Sequence, residues 1–328
     1  MKYAQVKGLD KQVSRMVFGC DWITNRDDNE RKIAFEALDG VCSVGCNALD
    51  TAHIYCGGDS ERVIGEWLQA RGNREKIVIL SKGAHHNRER RRVTPYDILS
   101  DINDSLIRLK TSYIDIYVLH RDNPDVPAGP IVDTLNKLRG EGKIRAFGGS
   151  NWTHRRLEEA NEYAYKHSLF PFTASSPNFG LADQVENPWG ELNVGIGGTA
   201  EKAARDWYLA HPDVKIFAYS SLARGFFSGR IRPNTTAEEA KNILDGPALK
   251  AYFHPVNLGK LARAEEVGVK RKLTVPQIAT AYALSHPLNI FSLQSPRSIN
   301  EMKQNAAAID TELSAAELAY LETGNASV

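Results

Sequence analysis

No apolar run in this sequence approaches the roughly 20 residues that a helix needs to cross a bilayer. The opening stretch, MKYAQVKGLDKQVSRM, carries no apolar core of a secretory signal. Neither sign of charge is in excess. The 41 Lys and Arg residues against 40 Asp and Glu leave a formal net charge of +1, which gives no electrostatic ground for a nucleic-acid or membrane partner. Cysteine is scarce, with four in 328 residues, all at or before Cys56: Cys20, Cys42, Cys46 and Cys56. A chain of this size with so few thiols reads as cytoplasmic with free cysteines rather than disulfide-stapled. Cys42 and Cys46 are spaced to share a helix face, but no paired His or Cys set accompanies them, so no metal site is expected. Linkers and low-complexity tracts are also lacking, and residues 1–328 read as one domain.

What is present is an alternation. Short β-branched runs are "RMVFG" (15–19), "CNALD" (46–50), "KIVILS" (76–81), "YIDIYVLH" (113–120), "IRAFGGS" (144–150), "PFTASS" (171–176), "VKIFAYS" (214–220) and "NIFSLQS" (289–295). Each is short and mostly apolar, as strands of a helix-covered parallel sheet are. Amphipathic helical patterns lie between them, among them "ERKIAFEALDGV", "TPYDILSDINDSLIRL", "PIVDTLNKLRGEG", "TAEKAARDWYLA" and "TVPQIATAYALSH". Thr94 before Pro95 marks one helix start. Eight such units predict an α/β fold, a closed (β/α)8 TIM barrel with extended βα loops; an open doubly wound sheet is the alternative that shares this alternation. Residues 1–14, with the turn-like "KGLDKQ", predict an N-terminal hairpin across the barrel's bottom.

Asp50, Lys82 and His120 each stand at or just past the C-terminal end of a different expected strand. In a parallel barrel those ends share one face, where sites are built. Tyr55 follows Asp50 in the turn "DTAHIYCGG", which needs glycines and small polar residues but has no turn-forming need of a phenol. Their chemistry is coherent. A Tyr hydroxyl with a pKa near 10 is a poor acid until a cation stabilises its phenolate. Lys82 is that cation, Asp50 would hold it charged, and His120 can orient a carbonyl oxygen. Singly, each has a plainer reading: a turn acid, a surface phenol, a solvated lysine, a hydrogen-bonded barrel histidine.

The stretches "NALDTAHIYCGGDSERVIGEWL", "LSKG" (80–83), "DSLIRLKTSYIDIYVLHRDNP" (104–124), "LNKLRGEGKIRAFGGSNW" (135–152), "AYSSLARGFFSGR" (218–230) and "SPRSINEMKQN" (295–305) resemble, in order and spacing, an aldo-keto reductase, over nearly the whole chain. The resemblance implies a catalytic tetrad of Asp50, Tyr55, Lys82 and His120. Tyr55 would be the general acid, Lys82 would lower its pKa, Asp50 would pair with Lys82, and His53 would be a bystander. It implies that Ser150 and Asn151 bind the nicotinamide carboxamide. Ser176 stands where the family usually has Gln. Tyr219 would stack on the nicotinamide, and the backbone amides of Ser220, Leu222 and Gly225 would meet the pyrophosphate. Arg297, Gln304 and Asn305 would hold the adenosine end, with Gln304 where Glu is commoner. Arg297 suits a 2′-phosphate, so NADP(H) is favoured over NAD(H).

The substrate partner implied is a small carbonyl or alcohol. Trp22, Trp152 and Trp189 on the strand-end loops are candidate substrate-binding faces, with neighbouring aromatics Phe226, Phe227, Tyr252 and Phe253. The stretch "PNFGLADQVENPWGELNVGIGG" (177–198) resembles an insertion in sugar-associated bacterial members, which implies a sugar-derived or other polyhydroxylated substrate and a place in carbohydrate metabolism. A non-enzymatic alternative is a cofactor-binding subunit resembling channel β-subunits. Glycoside hydrolysis needs two opposed carboxylates, and Asp50 has no evident second. "GIGGTA" (195–200) has the spacing of a dinucleotide fingerprint but follows no clear strand, so a loop and helix start are expected there. "HHNRERRR" (85–92) reads as a solvated loop at the pocket rim. Oligomeric state is not legible.

Overall fold

The computed structural model describes residues 1–190, 193–198 and 201–325. Eight parallel strands close into a barrel in chain order: β3 (Met16–Gly19), β4 (Ala48–Asp50), β5 (Val78–Gly83), β6 (Ile114–Leu119), β7 (Ile144–Ser150), β8 (Ala174–Ser176), β9 (Lys215–Ala218) and β10 (Ile290–Gln294). β10 pairs back onto β3, with Leu293 opposite Val17. Two earlier strands, β1 (Tyr3–Gln5) and β2 (Gln12–Ser14), form an antiparallel hairpin outside the barrel. The outer ring begins with α1 (Asp28–Ser43), α2 (Asp59–Arg71), α3 (Pro95–Arg108), α4 (Ala128–Gly140), α5 (His154–Lys166) and α6 (Lys202–Ala210). It continues with α7 (Ala237–Lys241), α8 (Gly246–Tyr252), α9 (Pro255–Arg271), α10 (Val275–Ser285), α11 (Ile299–Ala307) and α12 (Ala315–Thr323). The sequence expectation of a closed barrel with a hairpin and extended loops holds; the open sheet does not.

Successive strand residues face opposite sides of the sheet. Val17, Ala48, Val78, Leu80, Ile116, Val118, Ala146, Ala174, Phe217 and Phe291 form the inner packing layer. Their sequence neighbours Phe18, Leu49, Ile79, Tyr117, Phe147, Ile216 and Ala218 pack outward against the helices. Helix starts obey local capping. Thr94 accepts from the Asp97 amide with Pro95 at the first position of α3, and Thr274 and Gln277 close a capping box on α10. The hairpin seals the bottom by placing Val6, Leu9 and Val13 under the inner layer. Lys11 reaches in beside it. Its Nζ lies 2.7 Å from a carboxylate oxygen of buried Asp115, whose other oxygen meets Arg74 at 2.8 Å.

Several strands are shorter than their apolar runs. "PFTASS" contributes only Ala174–Ser176, because α5 takes up the preceding backbone: the Phe172 amide donates to Asn161 Oδ1 (2.7 Å) and its carbonyl accepts from Asn161 Nδ2 (3.2 Å). "GIGGTA" forms no nucleotide-binding turn in its described part. Gly195 bridges Asn178, Ile196 is buried, and the Ile196 carbonyl accepts from Arg205 (2.9 Å). Thr199 and Ala200 lie outside the described residues.

Inward positions also restrict size. At Gly148 on β7, a Cβ would come within 1.6 Å of the Ala174 carbonyl oxygen on β8. That neighbour is backbone and cannot rotate away. Gly148→Ala is therefore expected to lose about 1–3 kcal/mol or more by overpacking. A thermal melt showing an unchanged Tm would contradict this packing.

Candidate active site

The inner layer continues upward by steps of two. Asp50 follows Ala48, Lys82 follows Leu80, and His120 follows Val118. Ser150, Ser176 and Tyr219 continue β7, β8 and β9 in the same way. Register staggers the first three by one inward position per strand, with Asp50 opposite Leu80 and Lys82 opposite Val118, and sets Ser150 opposite Ser176. The result is one polar layer over an apolar one. Lys82 Nζ lies 2.6 Å from Asp50 Oδ1, donates to the Tyr55 hydroxyl at 2.9 Å, and donates to the Thr51 carbonyl at 3.0 Å. The rings of Tyr55 and His120 stand edge to face, with centroids 5.7 Å apart. The four residues expected to form a tetrad do converge.

Tyr55 is aimed by a tight turn. Cys56, Gly57 and Gly58 all have positive φ (50°, 66° and 95°), which glycine adopts without strain. The turn is tied down from below. His53 N–H donates to the Lys82 carbonyl (2.8 Å), its own carbonyl accepts from Arg108 (2.8 Å), and its ring contacts Asp104 (3.1 Å). His53 thus anchors the loop and makes no contact with the reacting groups.

Burial sets the protonation states. It pushes the Tyr55 phenol up to about 12, with the Lys82 charge working in the opposite direction. The expected lowering by Lys82 is present as a contribution, but desolvation outweighs it, so the net shift is upward. Tyr55 is a neutral proton donor at physiological pH. Burial alone would discharge Lys82, but Asp50 and Tyr55 hold its pKa above the usual lysine range. Burial, with the charges of Lys82 and Arg121, drives His120 well below the ordinary histidine range, so its imidazole is neutral.

Beside this group stand polar residues whose chemistry fits a nicotinamide carboxamide, one of them with an unspent hydroxyl. Ser176 is fully buried, and its Oγ has no partner among the described residues. Ser150 Oγ donates to the Ser176 carbonyl (3.0 Å), while Asn151 Nδ2 reaches the His120 carbonyl (3.3 Å) and Ser150 Oγ (3.1 Å). The Tyr219 hydroxyl donates to Asn151 Oδ1 (2.7 Å) and also touches the Asn193 side chain. Past Tyr219 the chain turns through left-handed Ser220, Ala223 and Arg224. Such turns present backbone N–H groups as an anion nest. The Ser220 and Leu222 amides have no acceptor among the described residues. Gly225 departs from expectation: its amide closes a turn onto the Leu222 carbonyl (3.1 Å), so its positive φ shapes the loop instead of offering a donor.

Arg297 is exposed at the start of α11, with its guanidinium 5.1 Å from the Trp22 ring. Gln304 is exposed and Asn305 buried in the last turns of α11. Trp22 therefore stands beside the expected adenosine arm as well as the pocket mouth. Trp189 is 39% exposed under the guanidinium of Arg224, which is ion-paired with Asp245. Trp152 does not face the pocket. It is wholly buried between Gly149, Phe172 and Arg156, with Nε1 donating to the Arg121 carbonyl (3.2 Å). Phe226, Phe227 and Tyr252 are core residues too.

Two residues beside the converging groups were not singled out from the sequence, Arg121 and Asn193, whereas His85 falls in a stretch read there as the pocket rim. Of the "HHNRERRR" stretch, residues 87–90 are exposed, as in a solvated loop, while His85 and His86 are half-buried. Arg90 and Arg92 are paired with Asp97 (2.7 Å) and Asp101 (2.5 Å), and His85 packs edge-on against His120, centroids 4.8 Å apart. Its proximity to Lys82 in sequence was the available signal.

The sequence profile of the Aldo/keto reductase family matches residues 15–325. An aldo-keto reductase of Strobilurus tenacellus is 27% identical over 89% of this chain and 80% of its own length. An aryl-alcohol dehydrogenase [NADP(+)] of Phanerodontia chrysosporium is 26% identical over 89% of this chain and 76% of its own. Among solved structures, an aldo-keto reductase from Klebsiella pneumoniae in complex with NADPH superposes with a TM-score of 0.72 at 27% identity, covering 98% of this chain and 94% of that one.

The buried pair carries a stability signature. Asp50→Asn or Lys82→Met leaves one charge buried without its partner and should cost about 3–5 kcal/mol. The double variant removes both charges and should recover much of that loss. Additive losses in a double-mutant cycle of thermal or denaturant unfolding would mean the pair is not coupled.

Proposed function

This chain belongs to the aldo/keto reductase family, and on that premise we propose that it is an NADP(H)-dependent oxidoreductase interconverting a small carbonyl compound and its alcohol. The observation that carries the reading is Lys82 Nζ, held between Asp50 (2.6 Å) and the Tyr55 hydroxyl (2.9 Å). The nicotinamide supplies or accepts the hydride when bound. Tyr55 gives its proton to the carbonyl oxygen in reduction and takes it back in oxidation. Lys82 stabilises the phenolate left behind, and Asp50 keeps Lys82 charged and fixed. Neutral His120 orients the carbonyl by hydrogen bonding, without a second positive charge that would repel Lys82. A cofactor-binding subunit without turnover has no use for this arrangement.

Ser150, Asn151 and Ser176 would hold the carboxamide, Tyr219 would back the ring, and the Ser220 and Leu222 amides would meet the pyrophosphate. Arg297, with Gln304 and Asn305, would take the adenosine end, and a guanidinium there favours NADP(H) over NAD(H). The cofactors of the Phanerodontia chrysosporium and Klebsiella pneumoniae relatives, NADP(+) and NADPH, support this choice. For the substrate, a sugar-derived or other polyhydroxylated carbonyl keeps Trp22 and Trp189 as its aromatic faces and loses Trp152. An aryl carbonyl is the second reading, favoured by relatives named aryl-alcohol dehydrogenases. No helix among the described residues is long and apolar enough to cross a membrane, and the proposed location is cytoplasmic.

Tyr55→Phe should bind NADPH normally and lose about 10²- to 10⁴-fold in carbonyl reduction, the usual worth of a general acid. In the native protein, alcohol oxidation should rise with pH across the neutral range, because the phenolate fraction grows below a pKa of about 12. Stopped-flow NADPH consumption on benzaldehyde and glyceraldehyde tests the first point, and NADPH formation from NADP(+) and benzyl alcohol across the neutral pH range tests the second; near-native turnover by the variant would remove Tyr55 from the role.

Arg297→Ala should weaken NADPH binding roughly 10- to 150-fold, the equivalent of a lost charge-assisted contact, and leave NADH nearly unchanged. Quenching of tryptophan fluorescence with each cofactor measures it. Equal weakening of both would show that Arg297 does not read the 2′-phosphate.

A further inference from the structure

Arg121, adjacent to His120, is a half-buried guanidinium without a carboxylate partner among the described residues. Its Nη1 donates to the His120 carbonyl (2.9 Å), and its Nε is buried with no acceptor. The acids on the surrounding elements are engaged elsewhere: Asp50 with Lys82, Asp97 with Arg90, Asp101 with Arg92, and Asp122 with Arg156 (3.3 Å). Other half-buried arginines here do find carboxylates, as Arg74 does in Asp115 (2.8 Å). A guanidinium does not discharge in proteins, so a buried, unpaired one is costly. Its field is directed at the reaction centre. It lowers the pKa values of His120, His85 and His86 and acts on the phenols of Tyr55 and Tyr219.

We propose that Arg121, walled by His85 and His86, forms an anion subsite beside Tyr55 and His120 that selects carbonyl substrates carrying a carboxylate. The proposal rests on the oxidoreductase reading and narrows its substrate class. Charge decides between a carboxylate and a phosphate. His85 is pushed down to about 4 by burial and His86 is lowered in the same way, so both rings are neutral at pH 7. Lys82 and Asp50 cancel. Among the described residues one uncompensated positive charge remains, which matches a monoanion. Shape agrees, since a planar guanidinium fork fits a planar carboxylate with two parallel hydrogen bonds. His86 Nδ1, buried and without a partner, is a further polar group on the same wall; His85 and His86 stack at 4.3 Å and His85 meets His120 at 4.8 Å, so the wall is continuous with the catalytic histidine.

The test compares 4-carboxybenzaldehyde with its neutral methyl ester as substrates, using NADPH and the native protein, Arg121→Gln and Arg121→Lys. The native protein should show a KM for the acid about 10- to 100-fold below that for the ester. Arg121→Gln should abolish that preference: the KM of the acid rises to that of the ester, and any change in kcat is shared by both substrates. Arg121→Lys should keep part of the preference. Calorimetric titration of benzoate into the NADPH complex gives a readout independent of turnover: binding by the native protein that is lost in Arg121→Gln supports the subsite even if neither aldehyde is reduced. Three results would overturn it: no acid preference in the native protein, equal losses on acid and ester, or a variant whose defect is in NADPH binding. Reduction of both aldehydes without discrimination would leave the oxidoreductase reading standing and remove only the anion subsite.

Discussion

Everything in this molecule hangs on the two-residue period of its barrel strands. Eight parallel strands closed on one another leave every second side chain inside. The interior has a floor from the hairpin's Val6, Leu9 and Val13, an apolar middle, and a top layer where the same alternation reaches Asp50, Lys82, His120, Ser150, Ser176 and Tyr219. A shift of one residue in any strand would turn its functional side chain outward into the helix layer. Close packing of the layer below therefore positions the site above it. The cost appears at Gly148, where the inner wall has no room for a methyl group.

Once gathered, the polar layer is governed by desolvation. The same burial acts on three groups in three ways. It keeps the Tyr55 phenol protonated, strips His120 of charge, and would strip Lys82 too if Asp50 were not 2.6 Å away. Which of the three is a neutral phenol, a neutral imidazole or a fixed cation follows from which has a counter-ion. Arg121 is the exception that this rule exposes: its charge persists without a carboxylate partner among the described residues because a guanidinium cannot release its proton.

The loops after β8 and β9 close the site from the other side. Tyr219, Asn151 and Asn193 meet through their side chains, and Trp189 lies against Arg224. These contacts join segments far apart in sequence, and none has a local pattern. Trp152 illustrates the hazard of reading such loops by residue type. It directly follows Ser150 and Asn151, yet it packs outward on Phe172 while its neighbours face the cleft.

Much of this was legible in the chain itself. Eight apolar runs alternating with amphipathic helices pointed to a barrel, with an open sheet as the alternative that closure of β10 onto β3 removed. The polar residues at the ends of those runs marked the site layer, because strand periodicity is local and survives without knowledge of partners. The order and spacing of the motifs, through their resemblance to a family, named the four residues that converge and those proposed to hold the cofactor. Other features belonged to tertiary structure alone. Asn161 shortened β8 by bonding the backbone of Phe172, a competition invisible to propensity. The Gly225 amide was spent within its own turn. His85 became part of the pocket because Asp97 and Asp101 fastened the arginines around it. The upward shift of Tyr55 came from burial outweighing a neighbouring cation, a balance set by depth and distance. Sequence determines what repeats along the chain; which charge finds a partner, and which is left facing the reaction, is decided only when distant segments are brought within a few ångströms.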